Sequence, residues 1–226
     1  MEKMEWAEAV DALGAQYGVL DDVITSLDSE ELLAPSGCRG WTNDALIFHM
    51  LLDAQRALVT FSSPVAGPAD TNFVDYWRGF VASDEDSRAH AIFVRMSAAA
   101  HPDETTTAGR WHLTAPAALR RAGETSGIDF VTTQGYTLTT ADFIATLVVE
   151  AAVHHLDLVV NLRHKPGPAE PAVSITTRTL DGLLGQSRPE QWDEITYLLK
   201  ATGRVALDER DRVALGEVSA AFPVFS

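Results

Sequence analysis

Along most of this chain apolar positions recur at alternating spacings of three and four, the period of an amphipathic helix. Trp6, Val10, Leu13, Tyr17, Leu20, Ile24 and Leu27 form one such stripe. They predict a long bundle-type helix ending near SLDSEELLAPSGCRGW, where Pro35, Gly37 and Gly40 open a loop. Thr42 and Asn43 are candidate N-caps for a second helix, with Asp44 in its first turn and SSPVAGP at its end. Ile47, Leu51, Ala54, Leu58 and Phe61 make its main seam, while Leu46, Phe48, Met50 and Leu52 add apolar sides that predict more than one packing neighbour.

Residues 71 to 126 carry a weaker pattern. NFVDYWRGF and RAHAIFVRMSAAA read as helical, HPDETTTAGR as loop, and TAPAALRRAGE as a short helix; IDFVTTQGYTL holds a short extended segment ended by Gly135. Thr139 followed by Asp142 is a capping-box pattern ahead of a long apolar run. The helix it opens is expected over about residues 140 to 163, with Arg163, His164 and Lys165 near its end and PGP stopping it. AVSITTRTLDGLLG predicts a further helix, and PEQWDEITYLLKATG and DERDRVALGEVSAAF shorter ones. The expectation is an all-α fold, a helical bundle with a compact helical tail.

The apolar run at VVEAAVHHLDL contains residues that do not belong in a purely structural helix. Projected at about 100° per residue, Phe143, Leu147, Glu150, His154, Asp157 and Asn161 fall on one stripe, while His155 points about 100° away and is expected to be a packing or surface residue. A buried carboxylate is costly unless a cation or strong donors meet it. Glu150 and His154, one turn apart, can reach one metal ion, and His49 on the second helix is the best third ligand because it too lies in an apolar run. Two histidines and one carboxylate would leave coordination positions open, as in catalytic sites. A hydrogen-bonded polar patch would also explain a Glu and His pair at this spacing. Asp157 is a candidate second-layer partner or substrate contact, although a solvated helix end fits its position as well.

Composition narrows the field. With 226 residues and 46% hydrophobic content the chain can fill one main core, so residues 1–226 are expected to form one domain, with 187–226 a helical tail packed on the bundle. A formal charge of -15 argues against nucleic acid and anionic membranes as partners. No run approaches 18 uninterrupted apolar residues, the N-terminus lacks a signal-peptide pattern, and Cys38 is the only cysteine, which together predict a cytoplasmic protein. Trp41, Trp77, Trp111 and Trp192 are expected in core packing, and His90, His101, His112 and His164 at the surface or in local hydrogen bonds. Surplus apolar surface on the second helix is compatible with a homodimer.

Three segments in order, PSGCRGWTNDALIFHM, YTLTTADFIATLVVEAAVHHLDL and ATGRVALDERDRVALGEVSAAFPVF, resemble the mycothiol-dependent maleylpyruvate isomerase N-terminal family of the DinB-like superfamily. The resemblance implies a DinB-like four-helix bundle with short additional C-terminal helices, and a divalent metal, zinc or nickel, held by His49, Glu150 and His154. It further implies mycothiol or another low-molecular-weight thiol as cosubstrate, and S-transfer to, or isomerisation of, a small electrophile. Two departures stand out: only 55 residues follow Pro171, part of which is expected to be the fourth bundle helix, and Leu147 stands where some relatives carry an arginine. The second argues against a dianion such as maleylpyruvate as substrate. Two other functions use the same residues, a metal-dependent hydrolase with Asp157 as its candidate base and a non-enzymatic bundle that binds a metal or small ligand. Cys38 is expected to be a packing residue, with activation supplied by the metal.

Overall fold

The computed structural model describes residues 3–79, 84–101, 103 and 105–225. Helix α1 (Trp6–Thr25) buries Leu13, Tyr17, Leu20 and Ile24 of the expected stripe, together with Ala9, Ala12 and Gln16. The segment read as opening loop holds a further turn of helix, α2 (Ser29–Leu33). A reciprocal capping box between Asp28 and Glu31 stabilises that turn ahead of Pro35. Helix α3 (Asn43–Phe61) starts at Thr42, whose hydroxyl accepts from the amide of Ala45, and ends at Ser62 as the pattern predicts. Its several apolar sides are all used: Ile47, Met50 and Ala54 enter the main core, whereas Ala45, Phe48 and Leu51 form a second cluster with Val94 and Ala98.

Two short or covering helices follow, α4 (Asp75–Gly79) and α5 (Asp84–Ala99). Of the sequence readings here, Phe80 at the end of NFVDYWRGF, and Pro102 and Glu104 in HPDETTTAGR, lie outside the described residues. His101 and Asp103 are non-helical as expected, but Thr105–Arg110 correct the loop expectation. Helix α6 runs Thr105–Gly123, through Pro116, and joins them to the helix expected in TAPAALRRAGE. Its buried stripe is Thr107, Trp111, Ala115, Ala118 and Ala122. The spacing is helical, but four of those five side chains are small and one is polar, so hydropathy alone hides the face.

IDFVTTQGYTL holds the expected extended segment before Gly135, and a second strand after it completes a hairpin. Strands β2 (Phe130–Thr133) and β3 (Tyr136–Thr139) pair antiparallel, with a first strand, β1 (Pro64–Val65), on the outer edge of β2. Gln134 (φ 52°) and Gly135 (φ 86°) make the two-residue turn with both φ positive, the form that matches strand twist. The hairpin delivers the chain to Thr139, whose hydroxyl accepts from the amide of Asp142 and caps helix α7 (Thr140–Val159). This helix stops four residues short of the expected boundary. The Asn161 amide bonds the Pro35 carbonyl and His164 takes a positive φ of 58°, so Arg163, His164 and Lys165 lie beyond the helix.

Helices α1, α6, α3 and α7 pack in a closed ring, each touching the next. The fourth member is therefore α6 and not part of the segment after Pro171. Helix α8 (Glu170–Leu184) lies outside that ring on α1 and α7, followed by α9 (Glu194–Ala201), α10 (Glu209–Leu215) and a 3₁₀ segment (Gly216–Ala221). Val173, Leu180, Trp192, Tyr197 and Leu198 form the apolar cluster of this tail, and the Trp77 ring stacks on Phe225, with centroids 5.0 Å apart. Among the described residues no helix is long and apolar enough to cross a membrane.

One polar cluster crosses the bundle core. His155 is fully buried on the face of α7 opposite Glu150, bonded to Gln16 Nε2 at 3.0 Å and to the Pro166 carbonyl at 2.9 Å. The Gln16 side chain also donates to the Ala151 carbonyl and accepts from the Ala169 amide, so α1, α7 and the start of α8 share one side chain.

Candidate metal centre

Facing stripes of α3 and α7 bring His49, Glu150 and His154 together. His49 Nε2 lies 3.2 Å from Glu150 Oε1 and 3.2 Å from His154 Nε2, and His154 Nε2 is 3.5 Å from Glu150 Oε1. All three side chains are largely but not wholly buried, at 12%, 24% and 14% exposure, so the cluster has an opening. Donor atoms about 2.1 Å from a tetrahedral ion stand roughly 3.4 Å from one another, and the three separations observed bracket that value. Two imidazole lone pairs and a carboxylate oxygen pointed at one spot repel unless a cation, a proton or a metal, sits among them. The residue types, the spacing and this demand for positive charge all fit a divalent ion.

His154 is held from behind. Its Nδ1 lies 3.0 Å from Asp157 Oδ2, so an Nδ1–H donated to that carboxylate leaves Nε2 as the lone pair facing Glu150 and His49. Asp157 is 3% exposed and receives two bonds from Arg204, Nε to Oδ1 at 2.9 Å and Nη2 to Oδ2 at 2.6 Å. A solvated helix end is thereby excluded. The loop before α3 closes the same spot: the Gly37 amide donates to the Asp157 carbonyl at 2.7 Å, and a Cβ at position 37 would stand 2.7 Å from Asp157 Oδ1 and 2.9 Å from its Cα. Glycine is required there by the close approach. The next residue, Cys38, sets its Sγ 3.3 Å from Asp157 Oδ2 and 3.7 Å from His154 Nδ1.

The charges follow from this geometry. Burial pushes the Glu150 carboxyl up, but hydrogen bonds from His154 and His49 outweigh it and hold the group well below the usual carboxylate range. Burial pushes His154 down, and its bonds to Asp157, Cys38 and Glu150 more than reverse this, raising it well above an ordinary imidazole. Asp157, also pushed up by burial, is carried down to about 2 by His154 and Arg204. Behind Glu150, Asp53 is raised to about 6, first by burial and then by the Glu150 charge, with Arg56 Nη2 2.8 Å from its Oδ1 as partial compensation. Arg56, Tyr76, Trp77, Gln134, Thr146 and Glu150 line a polar pocket of about 20 Å³, room for roughly one water.

Helical spacing points to Glu150, His154 and Asp157, and an apolar setting to His49; the fold gathers all four. It separates His155, which faces Gln16 across the core. Trp77, Trp111 and Trp192 are buried in packed clusters as expected; Trp41 is partly buried against two clusters and its ring also lies against His49, with centroids 5.3 Å apart. Tyr17 lines a small pocket with Asp53 and Glu150, and Tyr136 packs on Tyr76. Three contributors escaped the sequence reading: Arg204, 47 positions from its partner; the Asp53 and Arg56 pair; and His90, whose Nε2 is 3.2 Å from His49 Nδ1. For Asp53 and Arg56 a signal existed, since Asp53 and Arg56 lie one and two turns beyond His49 on α3; for Arg204 and His90 no spacing could have shown it.

A mostly helical ring of four with two histidines and a glutamate converging from facing helices is a DinB-like bundle. The chain belongs to the mycothiol maleylpyruvate isomerase N-terminal domain family, whose model matches residues 13–159, from within α1 to the last residue of α7. The family is mycothiol-related, and the match contains His49, Glu150, His154 and Asp157 but not Arg204. No curated protein and no solved structure is a match to the chain.

Proposed function

We propose that this chain is a metal- and thiol-dependent S-transferase or isomerase acting on a small electrophile. The carrying observation is the convergence of His49 Nε2, Glu150 Oε1 and His154 Nε2 at tetrahedral ligand spacing. These residues would hold zinc or nickel with coordination positions left open. A divalent ion there would favour the thiolate of mycothiol or another low-molecular-weight thiol, the nucleophilic form, at neutral pH. Asp157 keeps the His154 proton on Nδ1, and Arg204 keeps Asp157 ionised and in place. In the reaction the thiol proton passes to solvent and the sulfur bonds one carbon of an electron-poor double bond, whose π pair moves onto the conjugated acceptor. Protonation of that anion and release of the adduct is transfer; rotation about the former double bond, return of the pair and expulsion of the thiolate, which regains a proton from solvent, is isomerisation.

Hydrolysis is the weaker reading of the same centre. Its nearby candidate base, Asp157, is committed to Arg204 and His154 and lies at about 2, so it is a poor proton acceptor near neutrality. Because Arg204 reaches the centre from the segment 187–226, we read the chain as one working unit, tail included.

Elemental analysis of the purified protein combined with a thiol-dependence assay tests the proposal. One equivalent of metal, lost in His154→Ala, with electrophile consumed only when thiol is added, is the expected result. Absence of stoichiometric metal, or His154→Ala binding metal as well as the wild type, would overturn the metal centre. Turnover that persists without thiol would replace transfer with hydrolysis.

A further inference from the structure

We infer that His90 is a positioning residue that holds His49 in the tautomer able to bind a metal ion, and that helix α5 is thereby part of the centre. The inference rests on the metal reading above. His49 has two ring nitrogens with distinct surroundings. Nε2 faces Glu150 and His154, so as a ligand it must offer its lone pair, and the single proton of the neutral ring then sits on Nδ1. That nitrogen points at His90 Nε2, 3.2 Å away. A neutral His90 with its own proton on Nδ1 accepts the bond. The two rings stand at 77° with centroids 5.3 Å apart, and Trp41 lies beside both, 5.3 Å from His49 and 6.3 Å from His90.

The placement follows from how α5 packs. Among the described residues its one extensive contact is with α3, through Val94 and Ala98 seated on Ala45, Phe48 and Leu51. His90, Val94 and Ala98 are spaced i, i+4, i+8, so the stripe that buries the last two directs the first toward the α3 face carrying His49. Each imidazole of the centre then has its outward nitrogen engaged, His154 by a buried carboxylate and His49 by a second imidazole. Outer partners of this kind change metal affinity by roughly 10- to 100-fold when removed. His90 is exposed and uncharged in this role, which places it at the lower end. Coupling of this sort is reciprocal: an ion that fixes the His49 proton on Nδ1 strengthens the tie to His90, so loading the centre should steady α5.

The test uses the full chain stripped with chelator and titrated with Zn²⁺ alone, in competition with a chromophoric chelator, alongside hydrogen exchange of the α5 backbone. His90→Ala is expected to bind zinc about tenfold more weakly than wild type. His90→Gln, whose amide oxygen can accept the same proton, is expected to stay within about threefold of wild type. Zinc should slow α5 exchange in wild type and His90→Gln but not in His90→Ala. If His90→Ala binds zinc as tightly as wild type, or if both variants lose affinity equally, His90 is not the acceptor and the inference falls. A wild-type chain that takes up neither Zn²⁺ nor, in a parallel titration, Ni²⁺ would overturn the metal reading itself and this role with it.

Discussion

Arg204→Met removes the guanidinium that meets Asp157. Among the described residues the side chains then left to donate to the carboxylate, 3% exposed in the wild type, are the His154 ring and the Cys38 thiol. Removing one partner of a buried ion pair typically costs about 3–5 kcal/mol. Arg204 is itself 21% exposed, so part of that figure is lost to solvent screening. A second route gives a similar size: a carboxyl displaced from 3.8 to about 2 reflects ~2.4 kcal/mol of net favourable interaction, shared between His154 and Arg204. We therefore expect a loss of about 2 kcal/mol, measured as a lower urea midpoint at unchanged slope in the presence of chelator, where no metal contributes. Adding Asp157→Asn to the same chain should return a large part of it, because the unpaired charge is gone. Metal affinity should fall by roughly 10-fold or more, since His154 loses the anchor of its Nδ1 partner. A variant that loses under about 0.5 kcal/mol and binds metal like wild type would refute the chain of reasoning from Arg204 through Asp157 to His154.

Other outcomes follow from single contacts. Gly37→Ala forces a Cβ within 2.9 Å of the Asp157 Cα, a backbone atom that cannot swing away, and should cost about 1–3 kcal/mol in thermal or urea melts; an unchanged melting curve would show the loop free to move. His155 is lowered to about 4 by burial, against an unfolded value of 6.5. Between those values the unfolded chain holds a proton that the folded one refuses, so this stability is complete above pH 6.5 and lost as pH falls toward 4. At pH 5 the loss is about 2 kcal/mol. Asp53, raised to about 6, acts in the opposite sense over the same range, so the quantity to measure is wild type minus His155→Gln, whose gap should narrow from pH 7 to pH 5. Cys38→Ala should leave metal affinity and any thiol-dependent turnover within a few-fold of wild type; a loss of several orders of magnitude would make the thiol of Cys38, and not the metal, the source of activation.

What the sequence disclosed depended on whether a residue signalled through a helical period. Glu150, His154 and Asp157 interrupt one apolar run at i, i+4 and i+7, and their common face needed only projection. His49 stood out as an ionisable residue in a second such run. Only the second half of helix α6 was legible, as TAPAALRRAGE; its first half stayed hidden because the buried face there offers only Thr107 and Trp111. The C-terminal end of α7 is set by a contact outside it: the Asn161 amide finds the Pro35 carbonyl, a partner 126 positions away. Arg204 and His90 act from separate elements across 47 and 41 positions, distances over which only the fold decides who meets whom.

The Gln16 and His155 cluster bears on how such a site can be held at all. Faces made of alanine, valine and leucine pack almost equally well if one helix slides along its neighbour by a turn. Such a slide is about 5.4 Å, more than the 3.5 Å that separates the farthest pair of the three ligand atoms. A buried amide and imidazole allow no such tolerance, because sliding α7 would strand two polar side chains in an apolar core. They act as a registration key for α7, fixing its axial position against α1 and so setting the height at which Glu150 and His154 are presented to His49.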